Sequence, residues 1–383
     1  MLDHRPASSA FEAASSARRG ELRQADRAWR IFLVASTADS DQATGLAAEL
    51  RRRGHQPVVA LAGPQVSDSG LGDAQARAIP CIHVRADALE DTDYRGVERA
   101  GRELRRTAEA VSPDIVHVLA PEFAGHLSGW PLVVQAGAGP TTWWPAVRGA
   151  ESPPGCHWRR HLTYRGLGAA DAVTAPTQAH GDAVFARLRG LTAPHILADG
   201  HTPLDCASKD PFVLVVGAGW RDPGGFPALL QAASASNWIV LAGGPAPMPR
   251  SASQPVAHIN WIGDTSHDLR RDYARRAGIA LALDLYAPSA IAPAEAASAG
   301  AALILSDIPS HQEVWRGCAI FVDPGEPAEI AFAINELAES ETLRAGLGAA
   351  ARERAALFTH AAGATASVAL YQKVLRARLE ASA

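Results

Sequence analysis

Leu285-Tyr-Ala-Pro-Ser-Ala-Ile-Ala-Pro-Ala-Glu-Ala-Ala-Ser-Ala-Gly300 decides how this chain is read. In front of it stands Ile279–Leu283, a continuous apolar run of strand length. Behind it stands Ala302–Leu305, a second one. Between them, Ala292–Ala299 reads as a helix that opens after a Pro- and Ser-containing loop. Strand, loop, helix and strand, with the strands apolar throughout, predict one βαβ unit of a parallel sheet buried on both faces.

The same pattern extends outward. Upstream, Phe212–Val216 is a strand ended by Gly217-Ala218-Gly219, Phe226–Ala235 a helix, and Trp238–Ala242 a strand ended by Gly243-Gly244-Pro245. His258–Gly263 is a short strand and Ser266–Arg276 a helix. Downstream come a strand at Ile320–Val322 and helices at 327–338, 340–356 and about 361–381. The N-terminal half repeats the scheme. Its strands are Ile31–Ser36, Pro57–Ala62, Ile115–Leu119, Leu132–Gln135 and Ala172–Ala175, and its helices Ala43–Arg53, 93–111, 157–169 and Asp182–Leu188. The pattern lapses at Thr202–Pro211, a polar link containing proline.

These lapses predict four parts. Residues 1–27 form a loose Ala/Ser/Arg-rich extension, 28–204 one Rossmann-like domain, 205–360 another, and 361–383 a helix returning to the first. A chain of 383 residues with 47% apolar residues can fill two such cores. Two doubly wound domains place a ligand cleft between them, at the carboxyl ends of the strands.

Charge narrows the partners. The net charge is −4 and the arginines are scattered, which argues against nucleic acid and against a polybasic lipid contact. No apolar run approaches the length of a membrane span, so no integral membrane segment is expected. Cys81, Cys156, Cys206 and Cys318 form no CxxC pair, and their spacing fits neither a zinc site nor a disulfide framework. They are expected as reduced thiols in a cytoplasmic protein that holds no metal.

The stretch 285–300 resembles the donor-binding signature of glycosyltransferase family 4, as does its continuation Ala-Leu-Ile-Leu-Ser306-Asp-Ile-Pro-Ser-His-Gln-Glu313-Val-Trp. Val215-Val-Gly-Ala-Gly-Trp-Arg-Asp222 is similar to that family's glycine-rich strand end, and Trp261-Ile-Gly263 and Phe321-Val-Asp-Pro324 fall at matching places. In the N-terminal half Pro113-Asp-Ile-Val-His117, Trp143-Trp-Pro-Ala-Val147 and Ala170-Asp-Ala-Val-Thr-Ala-Pro-Thr177 are similar too. The order of these pieces over roughly 30–375 carries the resemblance. It implies the GT-B fold, two Rossmann-like domains facing across a cleft. It also implies transfer of a hexose from a nucleoside diphosphate sugar to an unknown acceptor, with retention, without a metal and without any cofactor beyond the donor.

The residues agree with that chemistry. A glycine-rich strand end lets backbone N–H groups approach a pyrophosphate, as at Gly217 and Gly219. The amides around Ser289, Ala290 and Ile291, ahead of a helix, offer further donors. Glu295 can accept from two ribose hydroxyls, and Arg221 can reach in as a cation. Trp143 and Trp144 are candidates to line the acceptor side. His117 reads as a core histidine and His55 as a helix stop, while Glu313 fits either a cap of the following turn or a place in the cleft.

Departures from the family are as informative. The family has two glutamates separated by seven residues; Glu295 fills the second place and Ala287 the first. The arginine and lysine expected at the pyrophosphate fall on Ala218 and Gly224. A His-Ser pair falls on Gly137-Ala138, and a double glycine of the first loop is replaced within Thr37-Ala38-Asp39-Ser40. Three readings stay open: an active hexosyltransferase, a catalytically degenerate member acting as protein partner or regulator of an active one, or a GT-B epimerase or coupling enzyme.

Overall fold

The computed structural model describes residues 27–64, 79–86, 93–217, 225–243, 258–263 and 266–382. The first half opens with β1 (Arg30–Ser36), α1 (Ser40–Arg52), β2 (Gln56–Gly63), β3 (Cys81–Arg85) and α2 (Tyr94–Val111). It continues through β4 (Ile115–Val118), α3 (Pro121–Ala124), β5 (Leu132–Gln135), α4 (Pro140–Arg148), α5 (His157–Gly168), β6 (Ala172–Ala175), α6 (Gln178–Arg187) and β7 (His195–Ile196). Its sheet runs β3-β2-β1-β4-β5-β6-β7, every pair parallel.

The second half holds β8 (Asp210–Val215), α7 (Gly225–Ser234), β9 (Ile239–Gly243), β10 (Ile259–Gly263), α8 (His267–Arg276) and β11 (Ala277–Ala282). Then come α9 (Ala294–Ser298), β12 (Ala302–Ser306), α10 (Pro309–Trp315), β13 (Ala319–Val322), α11 (Pro327–Glu339), α12 (Glu341–Ala355) and α13 (His360–Ser382). This sheet runs β10-β9-β8-β11-β12-β13, again parallel. Counted within each half, both orders run 3-2-1-4-5-6, with a seventh strand added at the edge of the first sheet. The chain reverses direction across the sheet between β1 and β4, and between β8 and β11. Ligands of doubly wound sheets bind at such points.

The strands are buried on both faces because they are apolar at every position. Ile31 to Ala35 and Ile279 to Ala282 are all fully buried. Helices start where polar side chains satisfy free amides. Asp93 Oδ1 accepts from Gly96 N at 2.6 Å ahead of α2, and Thr177 Oγ1 from His180 N at 3.2 Å ahead of α6.

The last helix packs against the first half. Ala364, Leu370, Tyr371 and Val374 of α13 pack into the same core as β1. Tyr371 Oη lies 2.8 Å from His117 Nδ1, and Arg378 grips Asp171 at 2.7 and 2.9 Å. Burial lowers the His117 pKa to about 4, so this is a neutral core histidine. His55 follows Gly54 at φ +88°, stacks on Trp29 at 4.9 Å and accepts from its backbone N–H.

Several elements differ from the sequence reading. Strand β3 was not expected, nor were α3, α4 and α10. Helix α6 starts four residues ahead of Asp182, because Thr177 caps it. The helix expected over Ala292–Ala299 is the single turn α9, five residues long.

Candidate functional site

A cavity of about 320 Å³ lies at the carboxyl ends of β8, β9 and β10. Gly217, Gly243 and Gly263 form its strand-end rim, and Ala292 and Glu295 its opposite wall. Gly217 has φ +74°, and a Cβ there would sit 3.3 Å from Ala292 Cβ and from the Asp284 carboxylate. Only glycine fits without strain, and its absence of a side chain keeps backbone open to a ligand. Gly219 and Arg221, with Ala218 and Gly224, lie outside the described residues.

Glu295 is the acidic group of this cavity. Burial raises its pKa, while Arg271 opposes the rise; Arg271 Nε stands 3.9 Å away, beyond hydrogen-bond length. A carboxylate that is largely desolvated and not hydrogen-bonded to its cation is ready for donors from a ligand. Arg270 also lines the cavity, a cation the sequence reading did not single out. It was not legible because α8 carries four arginines and their spacing does not say which one faces inward.

The loop Ser289–Ile291 leads into Ala292 of this cavity, but its own three residues do not line it. Ala290 is buried, with φ +53°, a conformation costly for a residue with a Cβ. Trp315 Nε1 donates to its carbonyl at 2.8 Å and holds it there. Ile291 packs against the same core. Ser289 turns to the other half, where its hydroxyl bonds Asp199. With α9 a single turn, little helix dipole stands behind the amides of this bent loop.

A second cavity, about 150 Å³, lies in the cleft between the halves. Ala287 lines it, with Tyr286, Pro288, Ile308, Pro309 and, from the first half, Thr142 and His180. Trp143 and Trp144 line neither cavity; they pack edge to face at 5.5 Å, with Arg148 over Trp144. It is Thr142, their neighbour on α4, that enters the cleft.

The two halves are bonded across this cleft. Tyr286 Oη lies 2.6 Å from Thr142 Oγ1 and 3.2 Å from His180 Nδ1. Thr177 donates to Pro288 O at 2.6 Å. Glu313 accepts from Gln178 N and Ala179 N, both at 2.8 Å, so it caps α6 of the opposite half. Neither the following turn nor open cleft is its place. At the floor, His311 is buried with Nε2 3.8 Å from Asp284 Oδ2. Burial holds its pKa near 4, so the ring is neutral and the contact is not an ion pair.

Asp199 sits in the same seam, its Oδ1 3.0 Å from Gln135 Nε2. Burial lifts its pKa from 3.8 to about 6, opposed by the bond from Gln135, helped by Asp39 and opposed again by Ser289. Between those two values the folded chain keeps a proton that the unfolded chain has lost. Stability therefore falls as pH rises through this window, and the full cost, about 2–3 kcal/mol, stands above it. Asp199→Asn removes the ionisation. Its melting temperature relative to the unmodified chain is expected to climb from pH 4 to pH 7. A difference that does not change with pH would contradict this.

Comparison with known proteins places this geometry. Residues 209–354 match the family model described as glycosyl transferases group 1. The fold is GT-B. GT-B structures similar to the whole chain include a sucrose-phosphate synthase from Thermosynechococcus elongatus, 16% identical, TM-score 0.72, covering 92% of this chain and 100% of that one. Anabaena HepE, solved with UDP and glucose, is 13% identical at TM-score 0.65, with 92% and 100% coverage. A trehalose-6-phosphate protein of E. coli, bound with UDP-2-fluoro glucose, is 12% identical at TM-score 0.64, with 90% and 99% coverage. No curated protein sequence matches the chain. At these identities the GT-B structures speak for architecture. Both cavities take lining residues from the matched segment, and the larger lies wholly within it.

Among the described residues no helix is long and apolar enough to cross a membrane, and no group of three or more His, Cys, Asp or Glu is arranged to hold a metal.

Proposed function

We propose that this chain is a glycosyltransferase that binds a nucleoside diphosphate sugar in its second half and moves the hexose to an acceptor received by the first. The observation that carries the reading is that Gly217 and Glu295 face one cavity, at the carboxyl ends of strands inside the matched segment. In this reading Glu295 holds the ribose. Gly217, Gly219, Arg221 and the amides of Ser289, Ala290 and Ile291 hold the pyrophosphate, and Arg270 adds a cation at the rim. The protein contributes preorganised donors to a leaving diphosphate, the electrostatic form of catalysis. Retention and independence of metal follow from the family resemblance. The UDP bound to HepE and the UDP-2-fluoro glucose bound to the E. coli protein support the choice of donor class.

A second reading, a non-catalytic partner or regulator of an active transferase, draws support from Ala287. It lines the cleft where the family has a carboxylate, and it offers no acceptor for a sugar hydroxyl.

Titration calorimetry with UDP, GDP, ADP and dTDP tests the donor site. At least one is expected to bind with a Kd below about 1 mM, near −4 kcal/mol. Absence of binding by all four would overturn the first reading and leave the second. Transfer assays on the tightest nucleotide's sugars then separate the first from the second.

A further inference from the structure

The cleft cavity beside Ala287 holds about 150 Å³, a volume that fits a single six-membered ring. It continues the donor loop: Leu285 to Pro288 line it, and Ala292, four residues on, lines the larger cavity with Glu295. A diphosphate lying along the loop from the larger cavity delivers its sugar here. Sugar sites ordinarily meet a ring's hydroxyls with hydrogen-bonding side chains, because an unmet hydroxyl loses its water without recompense.

The polar side chains of this lining are already committed to one another. His180 Nε2 donates to Ala136 O at 2.9 Å, and Nδ1 lies 3.2 Å from Tyr286 Oη. Tyr286 Oη lies 2.6 Å from Thr142 Oγ1, which also lies 3.2 Å from Gly139 O. Among the described residues lining the cavity, Ser310 alone keeps an uncommitted side-chain hydroxyl. The remainder is Ala146, Ala179, Ala183, Leu285, Ala287, Pro288, Ile308 and Pro309, all without polar side-chain atoms.

We infer that the sugar this site selects is a deoxygenated hexose, a ring short of one or more hydroxyls on the face turned to Ala287. The inference rests on the donor reading above. An ordinary hexosyl site loses affinity when a substrate hydroxyl is deleted, since its own polar groups are left unpaired. Here the sign reverses, because the deleted hydroxyl is the one that would be stranded.

The test is a deoxy scan. On the nucleotide that binds tightest, the glucose ester is compared by calorimetry with its 2-, 3-, 4- and 6-deoxy counterparts. At least one deoxy ester is expected to bind about tenfold tighter than the parent. Ala287→Glu, whose folding is checked by its melting curve, is expected to reverse that preference by supplying an acceptor. Equal or weaker binding of every deoxy ester by the unmodified chain overturns the inference while leaving the donor site intact. Failure of all four bare nucleotides to bind overturns the donor reading and this inference with it.

Discussion

Trp315→Ala is expected to cost about 3–5 kcal/mol of stability, the scale for truncating a fully buried tryptophan. The side chain is 0% exposed and is the largest of the fully buried residues. It shares a core with Ala290, Ala294, Ala296 and Ala297 beneath the loop Ser289–Ile291, and small neighbours of that kind cannot collapse into the space it leaves. The substitution also strands the Ala290 carbonyl, which accepts from the indole at 2.8 Å. That bond opposes the strain of φ +53° at Ala290, so the loop is expected to relax and nucleotide binding to fall with it. Thermal melting should drop on the order of 10 °C. Trp315→Phe keeps much of the volume and loses the donor, which isolates the loss of the bond, about 1–3 kcal/mol. A melting temperature for Trp315→Ala within about 2 °C of the unmodified chain would contradict the assignment of this indole as the loop's anchor.

The unmodified chain is expected to turn over sugar slowly, below about 1 s⁻¹. A diphosphate gains negative charge as the glycosidic bond breaks, and without a metal that charge is met by cations and N–H groups set in place beforehand. The resemblance implies an arginine and a lysine where this sequence has Ala218 and Gly224, and a carboxylate where it has Ala287. One missing donor of this kind costs about 2.7–4 kcal/mol in the barrier. Such losses do not add in full, and Arg270 at the rim offsets part of them. Steady-state transfer and donor hydrolysis are to be compared with the triple variant Ala218→Arg, Gly224→Lys, Ala287→Glu. The variant is expected to gain roughly a hundredfold or more. Turnover of about 1 s⁻¹ or above by the unmodified chain would show that other groups have replaced the missing ones.

Both sheets were legible because parallel strands buried on two faces are apolar at every position, as Ile31–Ala35 and Leu303–Leu305 are. Strand β3 escaped because it is an edge strand, mostly half-buried, with His83 and Arg85 breaking the apolar run. Helix α10 escaped because seven residues carry too little period to read. Gly217 and Glu295, which line one cavity, could be singled out because each has a local reason, a left-handed turn and a place on the helix after the loop. The cross-cleft partners could not. Tyr286 with Thr142, or Glu313 with Gln178, are more than 100 residues apart in the chain, and no local spacing encodes such a meeting. Which residue of α4 meets the cleft cavity was hidden for a related reason: α4 turns Thr142, not the rings of Trp143 and Trp144, to it.

Placement of a nucleotide in the cavity at β8, β9 and β10 is tested most directly at Glu295. Calorimetric Kd values for the tightest-binding nucleoside diphosphate, measured on the unmodified chain and on Glu295→Ala, test it. Loss of a carboxylate that accepts from ribose hydroxyls is expected to weaken binding by about 1.5–3 kcal/mol, roughly ten- to more than a hundredfold, with little change in melting temperature. An unchanged Kd in a folded Glu295→Ala would contradict the placement of the nucleotide in this cavity.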